Sequence, residues 1–150
     1  MTKQRIKRLG MVLKMAEEKE RQELQTWGRV QQQLEQERAT VTQLEGYASE
    51  YRGTLTSSSS NISIQGGQVQ NTIAFIEQIK EACGHQEQQV NLVMQQAEAA
   101  KRVYLEARTK AEALRKLIAK LTSEESAIED KKEQKLMDEF AARSARNRTF

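Results

Sequence analysis

Apolar residues recur in this chain at alternating steps of three and four, and the phase never slips. The first run goes from Ile6, Leu9, Leu13 and Ala16 through Trp27, Val30, Leu34, Val41, Leu44, Ala48 and Tyr51 to Leu55. Only Glu20, Glu23 and Glu37 interrupt it. A second run goes from Ile76 and Ile79 through Cys83, Val90, Val93, Ala97, Ala100, Tyr104, Ala107, Ala111, Leu114, Ile118 and Leu121 to Ile128, broken only at Gln86 and Glu125. This spacing puts one seam of apolar side chains along a helix, the pattern that winds helices around each other. The 150 residues contain no proline, where average usage gives roughly seven, so nothing removes an amide donor inside either helix.

Between the runs lies a segment from Gly53 through four consecutive serines and Asn61 to Gly66 and Gly67. Glycine permits backbone turns that other residues resist, and serine and asparagine compete for backbone hydrogen bonds. The predicted architecture is therefore all-α: two long helices forming an antiparallel coiled-coil hairpin, the C-terminal helix longer and overhanging. Helix 1 is expected over residues 3–52, the turn over 53–67 and helix 2 over 68–145, all in a single domain. Matching large seam residues to small ones places the turn centre at residue 60. Trp27 then faces Val93, Val30 faces Val90, Val41 faces Ile79, Leu44 faces Ile76 and Ala16 faces Tyr104. Glu20, Glu23 and Glu37 meet Ala100, Ala97 and Cys83, over which their stems can lie while the carboxylates stay wet. Glu17 meets Lys101. In this register residues 121–145 have no intramolecular partner, an overhang of about 35–40 Å that carries Leu121, Ile128, Leu136, Met137 and Phe140.

The composition leaves little room for catalysis or metal binding. With one cysteine, Cys83, and one histidine, His85, a single chain cannot assemble a disulfide, a His-based metal cluster or a Ser-His-Asp triad. The seam glutamates have no enclosed pocket to shift their pKa values, and no cation activates Cys83. The expectation is no enzyme, no catalytic residue and no cofactor or metal. No apolar run approaches the roughly 18 residues that span a bilayer, and no signal sequence is evident, which points to the cytoplasm without membrane insertion. Net charge is +3, with basic residues gathered at Lys3, Arg5, Lys7, Arg8 and Lys14 and again at Arg143, Arg146 and Arg148. No phosphate loop or aromatic-interleaved basic region accompanies them, so they read as solvation or attraction to an acidic partner rather than nucleic-acid binding.

Tyr47 and Phe75 lie outside the seam beside the turn, in a chain with only 5% aromatics. They predict a small exposed apolar patch for a partner. The run Tyr47-Ala-Ser-Glu-Tyr51-Arg52 before the turn, Phe75-Ile-Glu-Gln-Ile79 after it, and Lys135-Leu-Met-Asp-Glu-Phe140-Ala-Ala-Arg143 resembles the flagellar export protein FliJ family in order, spacing and length, over nearly the whole chain.

That resemblance implies a non-enzymatic, stalk-like coupling protein and export chaperone of the flagellar type III export apparatus. It would sit peripherally at the cytoplasmic face of the inner membrane. The implied partners are the export ATPase hexamer, the cytoplasmic part of the transmembrane export gate protein, and substrate-specific export chaperones. By position, Leu44, Tyr47, Tyr51, Phe75, Ile79 and Ala82 resemble the family's gate-binding surface. Gln86 stands where the family has a histidine, and Thr40 where it has a glutamine. The ATPase would meet the open end, at Arg5, Arg8, Leu9, Leu136, Met137, Phe140 and Arg143. The alternative reading is a cytoplasmic structural coiled coil that self-associates through its C-terminal overhang.

Overall fold

The computed structural model of the chain describes residues 2–58 and 66–148, all of them helical. Helix α1 runs over Thr2–Ser58 and helix α2 over Gly66–Arg148. The second is the longer, as expected, and the helix–helix contacts are those of an antiparallel hairpin. The seam is where the periodicity puts it: the positions shielded from solvent in both helices are almost all those of the three-four repeat. Tyr51 and Ile128 depart from it, being exposed.

Residues 53–58 and 66–67, expected in the turn, are helical. Thr54 Oγ1 donates to the Glu50 carbonyl at 3.0 Å, and Thr56 Oγ1 to the Arg52 carbonyl at 2.9 Å. These bonds give each threonine hydroxyl an acceptor within the helix, in place of the turn contacts it can otherwise make. Gly53 takes no positive φ. The rest of the expected turn, residues 59–65, lies outside the described residues.

Two compact units make up the chain. In the unit Glu23–Tyr104, the core is Leu34, Val93 and Ala97, with Val30 and Val90 packed against it. Val93 is fully buried. This corrects the expected register. Trp27 stacks on Tyr104, not Val93, which is eleven residues or about 16 Å away along α2. Glu37 meets Gln86, not Cys83: Gln86 Nε2 donates to the Glu37 carbonyl at 3.1 Å and to its carboxylate. The pairing has slipped toward the C-terminus of α2 by about one heptad. Two causes act together. α1 ends at Ser58 and α2 begins at Gly66, so fewer residues separate the helices than expected. A coiled-coil seam then accepts only whole-heptad slips, because any other would rotate apolar residues off the interface.

The second unit comprises Met1–Gln22 with Leu105–Phe150. Ala107, Ala111 and Leu121 are buried in it. Arg115 Nε lies 3.3 Å from Glu17 Oε1 and its Nη2 3.3 Å from Glu20 Oε2. Glu17 therefore meets Arg115 rather than Lys101, and Glu20 reaches a cation rather than Ala100. The first turn of α1 has no acidic residue of its own to offset the helix dipole. Glu129 of α2 supplies one, its Oε1 2.7 Å from Lys3 Nζ. The unpartnered stretch expected from residue 121 is thus shorter: Leu121 is buried and Glu129 is paired. The register slip accounts for the difference.

Candidate functional site

The aromatic patch is built by the turn-proximal ends of α1 and α2. Tyr51 and Phe75 meet edge to face, ring centroids 4.9 Å apart and planes at 72°. Each keeps about two-fifths of its surface exposed, so the pair covers the seam and still presents apolar area. Tyr47 is also exposed, its hydroxyl accepting a hydrogen bond from Gln43 Nε2 at 3.0 Å. Ala82 is exposed and Leu44 half-buried. Ile79 is buried, so it offers little surface of its own to a partner. The structure thus brings Tyr51 and Phe75 together directly. An edge-to-face pair of this kind is worth about 0.5–1.5 kcal/mol beyond burial.

Cys83 and the acids around it do not assemble a reactive thiol. Desolvation pushes the Cys83 thiol above its ordinary pKa, and the carboxylates of Glu45 and Glu87 push the same way. A thiolate is therefore disfavoured rather than activated. His85 is exposed, its Nε2 3.9 Å from Glu81 Oε1. Among the described residues no group of three or more His, Cys, Asp or Glu side chains comes together to hold a metal ion. None of the helices is long and apolar enough to cross a membrane, among the described residues.

The residues expected to meet an ATPase fall in the other unit, and in two places. Arg5 and Arg8 are exposed and Leu9 half-buried on the first turns of α1. Leu136, Met137 and Phe140 expose 65%, 73% and 72% of their surface, and Arg143 is exposed. Leu136 lies seven residues past Glu129, about 10 Å further along α2 than the ion pair with Lys3. The apolar positions 136, 137 and 140 share one helical face and remain bare.

Two contacts escaped sequence reasoning. The Trp27–Tyr104 stack, with centroids at 5.6 Å and planes at 25°, joins two large aromatic seam residues, where size matching set large against small. Arg115 bridges two glutamates one turn apart; the i,i+3 spacing of Glu17 and Glu20 was the available signal.

Long antiparallel helices, a continuous apolar seam and exposed apolar groups outside it define a protein of the two-helix coiled-coil class. A family model for the flagellar FliJ protein matches residues 5–149, nearly the whole chain. The chain belongs to that family, and is by that membership a component of the flagellar export apparatus. None of the curated proteins and none of the solved structures searched matches it.

Proposed function

We propose that this chain is a non-enzymatic coupling protein and export chaperone of the flagellar apparatus. It binds the export ATPase through the exposed face of α2 at Leu136, Met137 and Phe140, helped by Arg5, Arg8, Leu9 and Arg143. It binds the cytoplasmic part of the transmembrane export gate protein through the patch of Tyr47, Tyr51, Phe75 and Ala82, together with Leu44 and Ile79. Its place would be peripheral, at the cytoplasmic face of the inner membrane, where it would also meet substrate-specific export chaperones.

The observation that carries the reading is the exposed Tyr51–Phe75 pair in a chain matched to the family along its length. Aromatic rings paired at a surface supply large contact area with few rotatable bonds to order, the property of interface hot spots. The exposed 136–140 face supports the ATPase contact in the same way, since an apolar helix face in water is best satisfied by a partner.

The test is a Tyr51→Ala, Phe75→Ala double variant. Its far-UV circular dichroism should match the parent, because neither side chain is in the buried seam. Affinity for the purified cytoplasmic part of the gate protein should fall tenfold or more. Unchanged affinity would remove the gate assignment. Chain shortened after residue 130 should retain the Lys3–Glu129 pair and lose ATPase binding; undiminished stimulation of ATP hydrolysis would remove that half.

The same bare face would also serve self-association. Sedimentation at micromolar concentration separates the two, since the coupling role expects largely monomer and the structural alternative a dimer or tetramer.

A further inference from the structure

In an antiparallel pair of helices the residues flanking the seam meet along two edges. In the unit Met1–Gln22 with Leu105–Phe150 these edges are opposite in character. One carries complementary charge, Arg115 reaching both Glu17 and Glu20. The other carries Val12 and Lys19 from α1 with Lys110 from α2, and no carboxylate pairs with either lysine among the described residues.

Along this second edge runs a hollow of about 300 Å³, lined by Val12, Met15, Ala16, Lys19, Ala107 and Lys110. Its cause lies in the seam. Ala16 and Ala107 are small, and Ala111, one turn on, is fully buried, so the helices enclose less side-chain volume here than a leucine seam would. Val12 and Met15 stand above it, exposed by 45% and 74%. The walls are aliphatic groups and lysine stems, with the two ammonium groups at the rim. Nothing in the lining offers the convergent hydrogen-bonding groups that orient a small molecule. An unbranched methionine at the mouth adapts to differently shaped apolar side chains.

We infer that this edge is a docking groove for an acidic amphipathic helix of a partner protein. The helix would lay one or two apolar side chains between Val12, Met15 and Ala107 and set carboxylates against Lys19 and Lys110. Charge complementarity selects this occupant. Two unpaired lysines bordering an apolar trough repel a basic helix and leave a neutral one without partners for the ammonium groups. The groove shares no residue with either surface proposed above, so it stands or falls independently of them.

The experiment uses the full chain and a fluorescein-labelled synthetic peptide of three helical turns, with leucines at i and i+4 flanked by glutamates. Anisotropy at low salt should show saturable binding. Lys19→Glu with Lys110→Glu should weaken it at least tenfold, with an unchanged far-UV spectrum. Val12→Ser with Met15→Ser, which leaves every charge in place, should weaken it likewise. Arg115→Gln, on the other edge, should leave it unchanged. Binding lost equally in Arg115→Gln, or shared equally by a glutamine-for-glutamate peptide, overturns the proposal, as does no binding at all. Sedimentation showing that the parent dimerises and the Lys19→Glu, Lys110→Glu variant does not would assign the groove to a second copy of this chain instead.

Discussion

Trp27 of α1 lies against Tyr104 of α2 with ring centroids 5.6 Å apart and planes only 25° from parallel. No other tryptophan exists in the chain, and this ring sets the stagger of the two helices in its unit. A slip of one heptad either way would move the rings about 10 Å apart and put Trp27 against alanine, Ala97 or Ala111, in place of the Tyr104 ring. The stack is imperfect in one respect. Trp27 Nε1 is shielded from solvent and has no hydrogen-bond partner among the described residues.

That orphaned donor leads to an unusual expectation for the only tryptophan. A buried unpaired N–H costs about 1–3 kcal/mol, which offsets much of what the larger ring gains by burial. Trp27→Phe keeps an aromatic face for Tyr104 and removes the donor, so its thermal stability should equal or exceed the parent's. Tyr104→Ala removes the stacking partner and should destabilise by about 2 kcal/mol, with the Trp27 emission shifted to the red as the ring becomes wet. Thermal circular dichroism with fluorescence reads both. Severe destabilisation by Trp27→Phe would mean that Nε1 has a partner in solution.

Arg115 makes its two contacts in partly exposed surroundings, with Glu20 the more shielded of the two acids. Ion pairs so wetted are worth about 0.2–1 kcal/mol each, and salt weakens them. Arg115→Ala should therefore lower stability modestly in dilute buffer, and the gap from the parent should shrink in 1 M salt, as judged by urea titration. A loss that ignores salt would assign the effect to the arginine stem packed on the seam instead.

The seam, the hairpin and the greater length of α2 were legible because a period of three and four is written in residue types alone. The register was not. Leu34 faces the polar Gln86 in the expected pairing and the apolar Val93 in the pairing one heptad on, and its cluster with Val93 and Ala97 decides for the second. Glu37 illustrates the same ambiguity. Its carboxylate tolerates a small neighbour such as Cys83, yet it meets the amide of Gln86, the other polar seam residue, where each satisfies the other. At the candidate site, Tyr47 and Phe75 were legible as aromatics off the seam. Tyr51 enters only through the family resemblance, because its seam position predicts burial while its ring meets Phe75 at the surface.

Gly53 lies inside α1, where the sequence predicts the start of a turn. Inside a helix, glycine is less favourable than alanine by about 0.5–1 kcal/mol, because it loses more backbone freedom on folding. A Cβ added at Gly53 meets nothing within 4 Å, and no positive φ stands in the way. Gly53→Ala should thus raise the melting temperature by roughly 2 °C, the shift such an energy gives a chain of this size. A fall in melting temperature would mean that the chain turns at Gly53 after all.

The ion pair between Lys3 and Glu129 gives the first turn of α1 a defined pH window. Its hydrogen bond and charge attraction lower the Glu129 carboxyl below its ordinary pKa and raise the Lys3 ammonium above its ordinary 10.5. The signs follow from linkage. A carboxyl lowered on folding stabilises the pair above its ordinary value, and the contribution is lost as pH falls through the lowered one. An ammonium raised on folding stabilises it below 10.5, and the contribution is lost as pH rises through the raised value. The pair should hold throughout neutral pH and open at both extremes. In carbon-13 nuclear magnetic resonance, the Glu129 carboxyl should titrate below the ordinary glutamate value and the Lys3 ε-carbon above 10.5. Glu129→Gln should bring Lys3 back toward its ordinary titration. Ordinary midpoints for both groups in the parent would show that α2 does not pair with the start of α1 as far along as Glu129.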